Sequence, residues 1–405
     1  MGELGLRAVS AFGYVALIAV AWALSRDRGG IAWRTVGWGV GLQALLAIVL
    51  LVSPIGAGFF VGASLLVQGL IEYTGAGVAF LFGELNRPSF LTQVLPIILF
   101  MGSLFSMLYH LGIAQRVVDG LAWVLTRTMK LSGAESLGAV ANVFVGMIES
   151  SLVVKPFIAG MTRSELFALM TVGMGTVAGS VLVAYSSMLG EGFAGHLVTA
   201  SLLAAPGGLL IAKIMEPEHE TPETAGGARA AVEIESVNLI DAAALGAIGG
   251  LRLAAYVGAM LIVFVALIAL ANGVLGWIGP WFGAPELTLQ LVLGYLLAPV
   301  ALLMGVAPAE AVQVGSLLGM KTVLNEFLAY QQLGELRGTL SPRSTLIASY
   351  ALCGFANFGS LAILLGGIGG IAPERRSDVA ELGWRALVSG SLTTFLSACI
   401  AGMLL

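Results

Sequence analysis

Apolar residues gather along the chain into runs close to the bilayer-crossing length of about 20 residues. They lie at 9–24, 35–53, 91–112, 165–190, 195–214, 251–273, 342–366 and 384–404. These runs predict eight transmembrane helices. Three further apolar stretches do not fit as spans. Residues 56–84 carry glycine-rich interruptions. The stretch 115–131 is amphipathic with Arg116, Asp119, Arg127 and Lys130 on it, and 286–304 runs at once into Gly305 and Pro308. All three read as interfacial or oblique helices. The first run ends in Ser25-Arg26-Asp27-Arg28 with no basic segment ahead of it, so it reads as a retained span and not a cleaved signal.

Basic residues orient these spans. Arg26, Arg28 and Arg34 follow the first, Arg116, Arg127 and Lys130 follow the third, and Arg375 and Arg376 precede the eighth. In an eight-span arrangement all fall on one side, which the positive-inside rule makes cytoplasmic, with both termini on the other side. The long polar segment 216–240, with Glu216, Glu218, Glu220, Glu223, Glu233 and Glu235, falls on that same side. Its composition cannot bury a core, so it is expected to be a flexible loop dividing the chain into two halves.

The halves carry a repeat. Residues 162–186 and 342–366 align at an offset of 180, pairing Arg163 with Arg343, Ser164 with Ser344, Leu166 with Leu346, Ala168 with Ala348, Gly179 with Gly359 and Ser180 with Ser360. Both segments begin with a capping Ser or Thr beside an Arg, and both pass through small and polar residues at mid-span. Each is preceded by about 28 residues holding a central Gly and an acid: 134–161 around Gly146 and Glu149, and 308–335 around Gly319 and Glu326. Segments so interrupted suit re-entrant hairpins, the first entering from the cytoplasm and the second from outside. Opposed hairpins with broken helices form an inverted repeat, an architecture of secondary transporters that bind substrate near the midplane.

Composition agrees with this picture. The chain is 58% hydrophobic and 10% charged, against about 25% charged for a soluble protein. Its 55 glycines suit close helix packing and local unwinding. A net charge of −4 without a basic cluster argues against nucleic acid. Cys353 and Cys399 both lie in apolar runs, which does not fit a disulfide framework.

The chemistry rests on few residues. A carboxylate within hydrocarbon costs about 2.5–3.5 kcal/mol on insertion scales, so Glu149 and Glu326 must face a cavity or a partner. Around them stand Asn142 in the first hairpin and Thr176, Gly179 and Ser180 in the fourth span. Asn325 lies in the second hairpin, and Phe355, Asn357 and Ser360 in the seventh span. Amide and hydroxyl oxygens beside freed carbonyls suit Na⁺, a hard cation. Carboxylates beside Asn and Ser suit a hydroxyl-rich ligand such as a sugar or ribose, with Phe355 available to stack on a ring. Each amide or hydroxyl has a packing alternative, as a bridge between helices. Lys321 offers Glu326 a structural ion pair, and Lys155 is expected to snorkel to the cytoplasmic interface. Hydrolase and metal motifs do not occur, and His110, His196 and His219 are scattered. Ser151 and Lys155, four apart, form a distant candidate for a membrane hydrolase dyad.

Four motifs in order carry a family resemblance: SGAESLGAVANVFVGMIESSLVVKPF (132–157), MTRSELFALMTVGMGTVAGSVLVAY (161–185), GSLLGMKTVLNEFLAY (315–330) and LSPRSTLIASYALCGFANFGSLAILLGGIGGIAPERR (340–376). From about residue 90 onward the chain resembles the concentrative nucleoside transporters in their bacterial eight-span form. The resemblance implies an all-α polytopic homotrimer in the inner membrane that imports nucleosides with Na⁺ by an elevator motion and needs no cofactor. It divides the chain into a mainly scaffold part (1–130), a first transport repeat (131–215), a cytoplasmic loop (216–250), a scaffold span with an interfacial helix (251–305) and a second transport repeat (306–405). It implies an Na⁺ site from Asn142, the Val145 carbonyl, Thr176 and the Val177 carbonyl. A ribose site would use Glu326, Asn357 and Ser360, with the base near Glu149, Val181 and Phe355. The chain departs from the family where Met147 and Ile148 replace two polar base contacts, and where Ser150-Ser151 replaces Ala-Pro. An apolar wall discriminates weakly, so broader or purine-leaning selectivity is expected, or a different ring on a ribose-like ligand. Proton coupling through a buried Glu is the alternative to Na⁺.

Overall fold

In the computed structural model, which describes residues 2–83, 90–190, 192–230 and 236–405, every regular element is helical. Helices α1 (Glu3–Ala23) and α2 (Trp33–Ala47) lead through a π-helical turn at Ile48–Val52 into α3 (Pro54–Phe82). Ser53 caps α3 by accepting from the Gly56 amide, with Pro54 at the first helical position. A second π-turn precedes α4 (Leu95–His110), and a 77° bend joins α4 to α5 (Ile113–Met129). Gly112 makes that bend at φ +70, a conformation that costs an L side chain energy.

The first hairpin is α6 (Gly133–Phe144) and α7 (Met147–Val153), followed by the single turn α8 (Lys155–Ile158). Its tip turns at Gly146, φ +128. A capping box of Ser132 and Glu135 starts α6, and one of Thr162 and Glu165 starts α9 (Arg163–Gly175). After a break at 176–178 the chain resumes as α10 (Gly179–Leu189) and then α11 (Phe193–Met215). The second half opens with α12 (Leu239–Ile278) and α13 (Leu289–Leu303). A second hairpin follows, α14 (Ala311–Val323) and α15 (Glu326–Leu336), and then a second broken pair, α16 (Pro342–Leu352) and α17 (Phe358–Ile371), before α18 (Arg376–Leu404).

Helices α9, α11 and α18 form the buried centre. They approach closely because glycines line the contacts. A Cβ on Gly390 would collide with Met174, and one on Gly175 would press on Thr393. Gln43, buried at this depth, is paired at both ends of its amide. The Gln43 amide accepts from Tyr14 at 2.7 Å and donates to the Leu203 carbonyl at 2.9 Å, close to Pro206 within α11.

The hairpins open toward opposite ends of helix α18. At its first end, Arg375 donates to the Ile158, Ala159 and Met161 carbonyls behind the first hairpin. At its last end, Arg343 reaches the Gly402 and Gly305 carbonyls, near Glu310, which binds Ser341 behind the second hairpin. The inverted arrangement therefore stands.

Several expected boundaries change. Among the described residues, seven helices are long and apolar enough to cross a membrane, or eight if the bent α4–α5 pair counts as one. Residues 56–82 form one continuous helix, because Gly58, Gly62, Gly75 and Gly77 face open space and interrupt nothing. The expected span at 251–273 is the middle of a 40-residue helix. The run 342–366 is two half-helices, broken at mid-span where its small and polar residues gather, as expected. Nor is the acidic loop loose along its described length. Glu216 accepts from Arg26 and Arg163 at 2.9 Å each, Thr224 accepts from the Gly133 and Ala134 amides, and Ala230 donates to Asp119. Composition missed these contacts because each partner is distant in sequence. Glu233 and Glu235 lie outside the described residues.

Gly390→Val is expected to destabilise the fold by about 1–3 kcal/mol through overpacking against Met174. Thermal unfolding of the purified protein in detergent should show a lowered midpoint; an unchanged one would mean that α18 and α9 are not in such close contact.

Candidate functional site

The two broken helices meet where each has lost its regular hydrogen bonding. The Phe355 amide donates across to the Thr176 carbonyl at 3.1 Å, joining break to break. Around this crossing, α6, α9, α14 and α16 end, and α7, α10, α15 and α17 begin. Helix C-terminal carbonyls favour cations and N-terminal amides favour anions and polar ligands. The crossing therefore sorts charge by its geometry.

On the N-terminal side lies a carboxylate–amide cluster. Glu326 begins α15 and is buried. One of its oxygens accepts from the Tyr185 hydroxyl at 2.7 Å and the other from the Asn357 amide at 2.8 Å. Asn357 is fixed in turn as the N-cap of α17, accepting from the Ser360 amide at 2.7 Å. Tyr185 stacks on Tyr330, whose hydroxyl donates to the Ser349 carbonyl. Asn325 caps α15 through the Leu328 amide. Glu149 lies in the first turn of α7, with its side chain exposed to the cavity.

This cluster lines a cavity of about 900 Å³. Glu149, Val181, Phe355 and Ser360 contribute from the hairpins and broken helices, while Phe105 and Tyr109 of α4 and Met260 and Phe264 of α12 close the opposite wall. Met147 and Ile148 also line it, as an apolar edge. Met147 packs toward Gly173 and Ile148 against Gly367.

On the C-terminal side lies an oxygen cluster. Asn142 is fully buried; its amide donates to the Val172 carbonyl at 2.8 Å and to the Thr176 hydroxyl, and its oxygen accepts from Ser150 at 3.2 Å. Thr176 closes α9 as its C-cap and Val145 closes α6, so their carbonyls belong to freed helix ends. Val177 is buried beside them within the first break. Oxygens of amide, hydroxyl and carbonyl type form a donor set fit for a hard monovalent cation.

All the expected residues thus gather at one crossing, in two adjoining groups. Two participants escaped the sequence reading. Tyr185 sits in an apolar helical run, where an aromatic reads as packing; only folding brings it to Glu326. Ser150 was noticed as a departure, yet its proximity to Asn142 is set by the hairpin tip.

The alternative pairing of Lys321 with Glu326 is not formed. The ammonium instead donates to the Ala351 carbonyl at 2.8 Å and the Thr394 hydroxyl at 2.9 Å. Lys155 is exposed and lines the same cavity as Glu149. Ser151 and Lys155 do not form a dyad either. Ser151 donates to the Met147 carbonyl, and α7 ends at Val153, so Lys155 begins a different helix.

Comparisons with known proteins agree with this geometry. Family profiles described as Na⁺-dependent nucleoside transporter N-terminus and C-terminus match residues 12–85 and 196–402, and one described as nucleoside recognition matches 91–192. The chain is 47% identical to an uncharacterised transporter, YutK, of Bacillus subtilis, over 96% of this chain and 98% of that one. It is 38% identical to the sodium/nucleoside cotransporter 1 of Rattus norvegicus, over 98% of this chain and 63% of that longer protein. Among solved structures, CNTnw in an inward-facing substrate-bound state superposes with a TM-score of 0.92 at 43% identity, over 98% of each chain.

Tyr185→Phe removes one of the two donors to Glu326 and should cost about 1.5–3 kcal/mol, the range for hydrogen bonds to charged groups. A thermal midpoint within error of the parent would mean that the hydroxyl does not hold the carboxylate.

Proposed function

The chain belongs to the concentrative nucleoside transporter family, and from that membership we propose that it imports nucleosides across the cell's inner membrane, driven by an Na⁺ gradient. The observation that carries this reading is the crossing itself, where a carboxylate–amide cluster and an oxygen cluster share one hydrogen-bonded pair of helix breaks. Glu326, Asn357 and Ser360 would take the ribose hydroxyls, and Glu149 would face the base between Val181 and Phe355. Asn142, Thr176 and the Val145 and Val177 carbonyls would hold Na⁺, with the Ser150 hydroxyl within reach.

Coupling follows from this arrangement. A cation bound between the ends of α6 and α9 would fix Thr176, and the Thr176 carbonyl holds Phe355 beside the cavity. Ion binding then favours the substrate-binding shape of the second break, and linkage requires the converse as well. Alternating access would move the hairpins and broken helices as one body past α4 and α12, since the cavity lies between them. The apolar outer faces of α3 and α12 would meet lipid or neighbouring copies in a homotrimer. The arginine-rich end holding Arg26, Arg163 and Arg385 would face the cytoplasm, with both termini outside.

Base selectivity would follow from Met147 and Ile148. An apolar edge supplies contact area without directional hydrogen bonds, which favours a larger purine ring or tolerates several bases.

The test is uptake of radiolabelled adenosine and uridine into proteoliposomes with and without an inward Na⁺ gradient. Na⁺-dependent accumulation, with adenosine at least matching uridine, is expected. Uptake driven only by a pH gradient would move coupling to a buried Glu, and a strong pyrimidine preference would sink the reading of Met147 and Ile148. Failure to carry either nucleoside would point to another ring solute.

Two variants test the ion site. Asn142→Leu should abolish Na⁺ stimulation, and persistence of that stimulation would refute the assignment. Ser150→Ala should raise the half-saturating Na⁺ concentration about fivefold, the equivalent of roughly 1 kcal/mol for one lost oxygen contact. An unchanged value would leave Ser150 as a packing residue.

A further inference from the structure

Lys321 is a cation buried at the centre of a membrane protein, only 1% exposed and without a carboxylate in ion-pair contact among the described residues. Such a charge is expensive unless something uses it. Its place in the repeat says what that use is. Lys321 lies three residues before Leu324, where the first arm of the second hairpin ends, and Asn142 lies three residues before Val145, where the first arm of the first hairpin ends. Both side chains then do the same thing. Asn142 donates to the Val172 carbonyl in the last turn of α9, the first half of the broken helix that follows its hairpin. Lys321 donates to the Ala351 carbonyl in the last turn of α16, the first half of the corresponding broken helix.

The surroundings differ in one respect. The first break gathers neutral oxygens from Asn142, Ser150 and Thr176 and brings no positive charge of its own. The second break has a carbonyl, Ala351, and a hydroxyl, Thr394, already filled by the ammonium, which also lies 5.6 Å over the Phe395 ring. Both are C-terminal helix ends that favour a cation. We propose that the Lys321 ammonium is a tethered cation occupying, in the second repeat, the place that the coupling ion takes in the first. The duplicated fold then needs one exchangeable ion per chain where its symmetry offers two positions.

This inference rests on the reading of the first break as an Na⁺ site, and it extends that reading to its counterpart. The tethered charge holds the end of α16 and through it the break that carries Phe355, Asn357 and Ser360. Lys321 is thus a positioning residue. The two cations act on one hydrogen-bonded unit, because Phe355 in the second break donates to Thr176 in the first. One arrives from solution and reports the gradient, while the other is tethered to the chain and keeps half of the site formed when no ion is bound.

The test counts ions. Purified full-length protein in detergent is dialysed to equilibrium against radioactive sodium, as wild type and as the variants Lys321→Ala and Lys321→Asn. The second variant places the first repeat's residue type at the matching register. Each variant should bind about one more Na⁺ per chain than wild type, and its stability should rise further on Na⁺ addition than the parent's does. Lys321→Met, which keeps the volume and removes the charge, should gain no ion and should bind nucleoside about tenfold more weakly. An unchanged ion count in both Lys321→Ala and Lys321→Asn would overturn the proposal, as would wild-type nucleoside affinity in Lys321→Met. If wild type itself bound no Na⁺, the coupling assignment would fall, while the gain or its absence in the variants would still decide the role of Lys321.

Discussion

A helix interrupted inside a bilayer leaves carbonyls and amides that lipid cannot satisfy, and each orphan costs several kcal/mol. This chain contains two such interruptions, and the structure satisfies them against each other. The Phe355 amide meets the Thr176 carbonyl, Asn142 takes the Val172 carbonyl, Lys321 takes the Ala351 carbonyl, and Asn357 caps its own restarted helix. The rest of the architecture serves this crossing. The hairpins bring Asn142 and Glu326 to it from opposite ends, and the glycines of α9, α16–α17 and α18 let the backbones approach closely enough for it to close.

The crossing also sorts charge. Freed carbonyls and freed amides point to opposite sides of the same few residues, so a place for a cation and a place for a polar ligand arise together. They are mechanically joined by one backbone hydrogen bond and not by a long chain of contacts. On the proposed assignment, coupling of ion and nucleoside is then a local matter: what steadies Thr176 steadies Phe355. The two glutamates divide the remaining work. Glu326 is held by Tyr185 and Asn357 as part of the fold, whereas Glu149 presents its carboxylate to the cavity.

The cavity's apolar edge is a separate surface. Glu326 and Asn357 are fixed by hydrogen bonds and caps at helix ends. Met147 and Ile148 instead present apolar side chains to the cavity from a hairpin tip. On the proposed assignment, base preference can change at that edge while the crossing stays as it is.

Much of this was legible in the chain. Runs of apolar residues fixed the membrane class, paired glycine-and-acid segments revealed the hairpins, and the offset of 180 exposed the inverted repeat, because each of these is a local pattern with one physical cause. Four ordered motifs carried the family resemblance. Other features depended on contacts between distant segments. The glycine-rich stretch at 56–82 is an unbroken helix because its glycines face open space, and the acidic loop is anchored because its carboxylates find Arg26, Arg163 and Lys213. Tyr185 became a partner of Glu326, and Lys321 turned from that glutamate to Ala351, only once the hairpins and broken helices were packed. Sequence names the polar groups a membrane must accommodate; the tertiary structure decides which of them satisfy one another.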